Sequence, residues 1–186
     1  MIRNLIRTAV LATAALVAML SGPLVQAQQS DEGKRLHAFF AEEWERGLRE
    51  NPESASFEGD RRYNDRWTDN SPNAIAGREA ADREALARLK GFDRSKLAPA
   101  DQLNYDTFLW LQQKTVQRQT FREYLQPIGH QGGVQNADGL IEGLAFNEAR
   151  DYRDWLARMR ALPDAIDQTI ALMREGVKAG NVPPRV

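Results

Sequence analysis

Residues 151–178 read DYRDWLARMRALPDAIDQTIALMREGVK, and this stretch decides the fold. Its apolar residues recur every three or four positions, which is the spacing of one face of an α-helix. They are Tyr152, Trp155, Leu156, Met159, Leu162, Ile166, Ile170, Met173 and Val177. We expect this face to lie in a protein core, because apolar side chains at helical spacing usually pack inside.

Local signals predict where this helix begins and ends. Asn147 is the predicted N-cap, and Gly180 followed by two prolines is expected to stop the pattern. Pro163 is expected to end or kink the helix, because proline removes a backbone donor. Arg158 and Arg160 lie between the apolar residues and are expected on solvated faces of the helix.

The earlier part of the chain predicts another helix of the same kind. Its apolar stripe predicts a helix of roughly residues 32–50, and the stripe consists of Leu36, Phe40, Trp44 and Leu48 with Phe39 beside them. Asn51-Pro52 is expected to stop that helix.

Two more helices follow. Ser71 reads as an N-cap before Pro72 in the first turn, and this helix is predicted to reach Lys90. Pro99 starts the next one, with Asp101 near its positive end. Residues 108–111, FLWL, are apolar on all sides and predict a central helix covered by its neighbours.

The segment 127–133, PIGHQGG, must be a loop, because three glycines undermine any helix. A short helix is expected at about residues 137–144, and no run of the sequence shows sustained strand alternation. The predicted fold class is all-α, an irregular bundle of about five helices.

Residues 1–27 are predicted to be a signal peptide. Arg3 and Arg7 give a positive start, Ala9 to Leu20 is an uncharged, mostly apolar run, and Ala27 closes a small-residue cleavage site. Cleavage there leaves residues 28–186 as one helical domain and sends the protein to the periplasm or outside the cell. The alternative is an uncleaved membrane anchor, for which the apolar core is short.

Composition excludes several classes of function. The chain has no cysteine, which rules out disulfides, thiolate metal sites and cysteine nucleophiles. Loss of Arg3 and Arg7 takes the formal charge from −1 to −3, and acidic and basic residues stay interleaved. A nucleic-acid partner needs a concentrated positive face, so it is disfavoured. After cleavage of the signal no membrane partner is expected.

Four blocks of the sequence resemble the exported bacterial proteins of the domain-of-unknown-function family 885. They occur in order over nearly all of the mature chain and are residues 51–66, 101–106, 125–133 and 151–186. Within them stand NPESA, GDRRYNDR, DQLNYD, LQP, QGG and WLARMRALP. The order of the four blocks makes the resemblance specific.

The resemblance implies a large, mainly helical protein similar to zinc peptidases, of which this chain is the N-terminal portion. The family's metal motif, a His-Glu pair with a second His one helical turn later, is expected downstream of the matched segment. Zinc catalysis needs about three protein ligands, a water position and a nearby carboxylate. This chain has two histidines, His37 and His130, and neither has a neighbouring Glu. We therefore predict no catalytic residue, no metal ligand and no cofactor here, with zinc possible in a longer parent protein.

A metal-free binding site remains open at Asp60, Arg61 and Tyr63. They belong to GDRRYNDR, residues 59–66, which concentrates carboxylates, guanidiniums and a phenol in a predicted loop. An arginine there could hold a substrate carboxylate through two hydrogen bonds. The alternative is structural: Asp60, Arg61 and Asp65 satisfy each other and nearby backbone, while Tyr63 and Trp67 anchor the loop.

His130 is the fourth candidate, because its glycine-rich loop could line a cleft or bind an anion through backbone N–H groups. The alternative is a plain connector, since no helix-entry phosphate motif follows the loop. His37 lies next to an apolar stripe and reads as a partly buried packing residue.

Two classes of function follow. In the first, the chain is the non-catalytic front of an exported, metallopeptidase-like hydrolase, and its partner is the C-terminal portion of the same protein or a second copy; the parent could act on peptides. In the second, it is a stand-alone periplasmic helical binding module. Whether the chain is itself an enzyme stays open, and the absent metal motif favours a non-catalytic chain.

Overall fold

The computed structural model describes residues 30–130 and 132–182. Within these ranges the chain forms five α-helices and no β-strand, which confirms the predicted all-α fold. The helices are α1 (Asp31–Glu50), α2 (Pro52–Phe57), α3 (Pro72–Lys90), α4 (Pro99–Arg118) and α5 (Ala149–Lys178). Short 3-10 helices connect them at Arg61–Tyr63, Arg94–Lys96, Gln119–Phe121, Glu123–Leu125 and Val134–Gly143.

The predicted signal peptide, residues 1–27, lies outside the described residues. No helix within the described ranges has both the length and the apolar character needed to cross a bilayer. The short helix expected near residues 137–144 is a 3-10 helix, Val134–Gly143.

Local capping sets the helix starts. The Ser30 side chain accepts a hydrogen bond from the Gly33 backbone N–H at 3.0 Å and caps α1. Ser71 accepts from the Ala74 N–H at 3.3 Å and caps α3, as predicted. Asn51-Pro52 ends α1 but also begins α2, which the sequence did not predict. Proline fits this first position because its missing N–H has no partner within the helix.

The main hydrophobic core lies where α1, α3 and α4 meet. It is built from Leu36, Phe39, Ala85, Leu89, Leu97 and Tyr105. Phe108 packs against it and meets the rings of Phe39 and Phe40 at centroid distances of 5.9 and 5.1 Å, close to edge-on. Such aromatic pairs add specific geometry to the burial of apolar surface.

The prediction that α4 is covered on all sides is wrong. Trp110 and Leu111 are 58% and 47% exposed, whereas Phe108 and Leu109 pack against the core. The described helices α1 and α3 cover one side of α4 and leave the other open. Asp101 lies in the first turn of α4, as predicted, and its buried carboxylate oxygen lies 2.7 Å from His37 Nε2 on α1.

Helix α5 differs from its prediction at both its start and its middle. Its N-cap is Glu148, not Asn147, because the Asp151 carboxylate accepts from the Glu148 backbone N–H at 3.0 Å. The Asn147 N–H donates to the same carboxylate at 2.9 Å. The helix does not end at Pro163 but continues through it to Lys178.

A second, smaller apolar cluster joins α5 to the bundle. It consists of Ile75 at the start of α3, Leu125, and Leu172 on α5, with Tyr124 packed beside them. Gly176 allows this contact, because a Cβ atom there would lie 2.6 Å from the Leu125 carbonyl oxygen. The turn at Leu125 therefore touches the backbone of α5 directly.

The structure buries the polar face of α5 and exposes its apolar face, which is the reverse of the prediction. The residues buried against the bundle are mainly polar or small, namely Asp151, Arg158, Thr169, Leu172 and Gly176. Most of the predicted apolar stripe of α5 is instead 37–67% exposed, namely Tyr152, Leu156, Met159, Ile166, Ile170, Met173 and Val177, whereas Trp155 and Leu162 are partly buried. These two sets lie roughly a third of a turn apart on the helix. The predicted core face of this helix is therefore a surface of the described part of the chain.

Candidate functional site

The candidate loop, here called the arginine loop, comprises residues 58–70 between α2 and α3. Gly59 has a φ of +83°, a left-handed conformation that glycine adopts without strain and that turns the chain out of α2. Asp60 then caps the 3-10 turn Arg61–Tyr63 by accepting from the Arg62 backbone N–H at 3.0 Å. These local features fix the shape of the loop.

Arg158 of α5 holds the loop from inside the protein. Its side chain is fully buried, and Nε donates to the Arg66 carbonyl oxygen at 2.8 Å. Nη1 donates to Ser56 Oγ at 3.0 Å. Nη2 donates to the carbonyl oxygens of Tyr63 at 2.7 Å and Pro52 at 3.3 Å. One guanidinium thereby connects α5, α2 and the arginine loop, so the expectation that Arg158 faces solvent is wrong.

Neighbouring groups complete this buried polar cluster. Trp67 Nε1 donates to the Arg158 carbonyl oxygen at 2.7 Å, and its ring lies 5.6 Å from the guanidinium carbon. Ser56 Oγ also bonds Asn64 Oδ1 at 2.7 Å. Burial lowers the pKa of Arg158, against the opposing charges of the Glu53 and Asp65 carboxylates. An arginine remains protonated at neutral pH even so, and its charge is balanced by these acceptors.

Arg61 points to the start of α5 rather than to Asp60. Its Nη2 donates to the carboxylates of Glu148 and Asp151. Burial of the Asp151 carboxylate opposes its ionisation, but the backbone N–H groups of Glu148 and Asn147 and the Arg61 guanidinium outweigh burial and lower the pKa of Asp151. This contact ties the loop to the N-terminus of α5.

The other charged residues of the loop also form pairs. Arg62 donates through Nε to both Asp60 oxygens at 3.0 Å and through Nη1 to Glu45 on α1 at 2.9 Å. The Arg62 hydrogen bonds lower the pKa of Asp60. Arg66 donates to Asp65 at 2.7 and 3.0 Å. The guanidinium carbons of Arg62 and Arg66 lie 5.4 and 5.9 Å from the centre of the Tyr63 ring.

These contacts show what the loop can do chemically. Each of its three guanidiniums, on Arg61, Arg62 and Arg66, already contacts a carboxylate of the described chain. A substrate carboxylate would have to displace one of these partners. The structural alternative had Asp60, Arg61 and Asp65 satisfying each other, and the pairing differs for all three. Asp60 pairs with Arg62, Asp65 pairs with Arg66, and Arg61 pairs with Glu148 and Asp151.

The second candidate loop, residues 127–133, is here called the glycine loop. The Gly129 N–H donates to the Gly132 carbonyl oxygen at 2.8 Å, and Gln135 Nε2 donates to the Gly129 carbonyl oxygen at 2.8 Å. Gly133 has a φ of +137°, which favours glycine at this turn. His130 is exposed at the tip of the loop.

The structure brings the two loops to one cavity of about 560 Å³. Glu53 on its wall accepts from the backbone N–H of Thr68 at 3.0 Å and from the Thr68 hydroxyl at 2.5 Å. The lining residues are Glu53, Phe57, Trp67, Thr68, Asn70, Pro127, Gly132, Gly133, Val134, Asn136, Ala137, Gly139, Leu140, Ala165 and Thr169. The predicted residues Asp60, Arg61, Tyr63 and His130 are not among them, and their role in substrate binding stays a prediction.

No group of three or more His, Asp or Glu side chains within residues 30–130 and 132–182 is arranged to hold a metal ion. His37 lies on α1 against Asp101, and its side chain is half exposed. His130 lies in the glycine loop, on a different element.

Sequence reasoning missed Arg158, the residue on which the site depends. A signal for it exists, because Asp151, Arg158, Thr169 and Gly176 are separated by 7, 11 and 7 positions and share one helical face. A face of polar and small residues beside an apolar stripe is ambiguous from sequence alone. The buried polar face becomes evident only when the carbonyl oxygens that it meets are known.

Comparison with known proteins places this chain in a family. The model of the family described as "Bacterial protein of unknown function (DUF885)" matches residues 52–186. The chain therefore belongs to this family, and the matched range contains the arginine loop, the glycine loop and α5. Neither the curated proteins nor the solved structures gave a match.

Arg158→Ala is expected to lower the free energy of unfolding by about 3–5 kcal/mol, because it removes a fully buried side chain and its four hydrogen bonds. The matched control is Arg160→Ala, two positions along the same helix and exposed, which is expected to change stability by less than about 0.5 kcal/mol. Urea denaturation followed by circular dichroism measures both. Equal effects of the two substitutions would contradict the role given to Arg158.

The lowered pKa of Asp151 predicts a loss of stability in acid. In the unfolded chain an aspartate carboxyl has a pKa of about 3.9, and the native state keeps the Asp151 carboxylate ionised to a lower pH than that. Its contribution is complete above that value and is lost as the pH falls through the folded-state pKa. The free energy of unfolding of Asp151→Asn should therefore fall less than that of the unaltered protein between about pH 5 and pH 2, the range in which Asp151 becomes protonated.

The control for this experiment is Asp167→Asn, an exposed carboxylate on the same helix. Denaturation is measured at each pH for the three proteins. If the curve of Asp151→Asn runs parallel to that of the unaltered protein, the proposed linkage is refuted.

Proposed function

We propose that this chain is the non-catalytic, helical N-terminal portion of an exported protein of the family, and that the apolar stripe of α5 packs against a further part of the same protein. The match over residues 52–186 supports the family, and the two isolated histidines of the sequence support a non-catalytic chain. The exposed stripe supports the packing against a further part of the protein, because seven apolar side chains exposed along one helix are typical of an interface.

The orientation of α5 strengthens this argument. The helix meets the bundle through Arg158, Thr169 and Gly176 and directs its apolar stripe away from it. A helix that folded only with its own bundle would gain free energy by burying Ile170 and Met173 instead. The polar face is held by specific hydrogen bonds to backbone carbonyl oxygens, so it cannot exchange places with the stripe without losing them.

The resemblance to zinc peptidases supplies the expected chemistry of the further part. In this proposal the metal-binding His-Glu motif lies in that part, and the chain described here forms one wall of the substrate path for peptides. Export to the periplasm or beyond rests on the signal pattern of residues 1–27. The alternative, a stand-alone periplasmic binding module, would require a separate partner or a second copy on the same stripe.

Protein purified from cells expressing the full chain is expected to self-associate through the stripe. Met173→Asp places a charge on the stripe and should shift the protein toward monomer in sedimentation velocity. Ala171→Asp is the matched control, because it adds the same charge at an exposed position on the far side of the helix and should leave association unchanged. A clean monomer with a sharp cooperative melt from the unaltered chain would contradict the proposal.

The metal prediction separates the two functions. The purified 186-residue product should retain no stoichiometric zinc after dialysis, as measured by elemental analysis. A longer product whose reading frame includes a His-Glu pair with a second His one turn later should retain about one zinc ion per chain and hydrolyse peptides. Stoichiometric zinc on the 186-residue product would overturn the proposal. A reading frame without such a motif would favour the binding module.

A further inference from the structure

A second cavity lies between α1 and α4, and its lining reaches Glu58, the first residue of the arginine loop. Its volume is about 600 Å³, and its walls are Phe40, Trp44 and Leu48 from α1 with Phe108 and Leu111 from α4. We refer to it as the α1–α4 groove. A volume of this size is within the range of pockets that hold small organic ligands, roughly 300–1,000 Å³, and such pockets are mostly apolar.

The groove also contains a polar group without a partner. Gln112 of α4 lines it and is only 9% exposed. Its side-chain oxygen Oε1 is buried and accepts no hydrogen bond from any described residue. A buried polar atom without a partner is costly and rare in native proteins. A turn of this side chain toward the groove would let a ligand donate a hydrogen bond to Oε1 and remove that cost.

The charge at the groove is negative. Glu43 and Glu58 lie on its lining, and no lysine or arginine does. The guanidinium of Arg46 contacts Glu43 but is shared with Glu50 and Asp82, so it leaves an excess of carboxylates. The local field therefore disfavours an anionic ligand and favours a neutral or cationic one.

We propose that the α1–α4 groove binds a small, largely apolar molecule that carries an N–H donor and no negative charge. Its apolar body packs between Trp44 and Leu111, and its N–H group donates to Gln112 Oε1. Amines and amides with an aromatic or branched apolar part have this chemistry. The lining of this site includes none of the arginines of the arginine loop and no residue of the stripe on α5.

Two fluorescent probes test the ligand class. N-phenyl-1-naphthylamine is apolar and has one N–H donor, whereas 8-anilinonaphthalene-1-sulfonate is the same molecule with an added sulfonate. Protein purified after expression of the full chain should bind the first probe saturably and the second several-fold more weakly, because the carboxylates repel the sulfonate. Equal or tighter binding of the sulfonate would overturn the assigned ligand class.

Gly47 provides a variant that blocks the groove without disrupting the fold. It lines the groove, and a Cβ atom at this position would meet no other atom within 4 Å. Gly47→Leu should therefore fill the space and abolish saturable binding, while leucine favours the helix more than glycine does. The matched control is Gly77→Leu on α3, where a Cβ atom also meets nothing within 4 Å and binding should persist.

Gln112→Leu tests the hydrogen bond itself. It should weaken N-phenyl-1-naphthylamine about five-fold, the expected loss of one neutral hydrogen bond, and leave 1-phenylnaphthalene, which lacks the N–H, unchanged. Equal probe binding by Gly47→Leu and Gly77→Leu would overturn the site. Absence of saturable binding by the unaltered protein would also overturn it, and would fit a groove occupied by polypeptide.

Discussion

The buried guanidinium of Arg158 is the interaction on which the arrangement of this protein depends. It donates to the carbonyl oxygens of Arg66 and Tyr63 in the arginine loop and of Pro52 at the start of α2. Without it, α2 and the arginine loop would enclose polar atoms that water cannot reach. Because α5 carries this residue, its position and its rotation about its own axis are set by hydrogen bonds more than by apolar contact. Its apolar cluster with the bundle is small.

This constraint explains why the apolar surface of α5 faces outward. A helix held by directional bonds cannot choose its buried face by hydrophobicity alone. Rotating α5 to bury the stripe would withdraw Arg158 from its acceptors, and the loss of those hydrogen bonds in the interior would cost more free energy than the exposed stripe does.

The sequence predicted the parts of the fold that depend on neighbouring residues. The starts at Ser71 and Pro99 and the end at Lys90 were right, because caps, prolines and glycines act within one helical turn. Periodicity also predicted that the apolar residues of α1 and of α5 lie along one face of a helix. It could not say which stripe would be covered, because that depends on elements far away in the chain. Trp44 and the stripe of α5 were therefore placed in the core by pattern and on the surface by the structure.

The same limit applies to the candidate site. Composition identified the arginine loop as a concentration of charge, and the structure agrees. The partners of Arg61 and of the Tyr63 carbonyl oxygen lie on α5, 87 to 95 positions along the chain, so no local pattern could reveal them. The α1–α4 groove has a similar origin, because its walls come from helices about 60 residues apart, and that separation exceeds the reach of any helical repeat.

Gly176 limits how far α5 can rotate about its own axis. At this point the backbone of α5 lies against the Leu125 carbonyl oxygen with no side chain between them. The helix therefore cannot roll about its long axis, because any turn would bring a neighbouring side chain against the Leu125 turn. A helix that cannot roll cannot turn its exposed apolar stripe inward. Only contact with other molecules can then cover the stripe, so the fraction of protein with a covered stripe depends on the protein concentration.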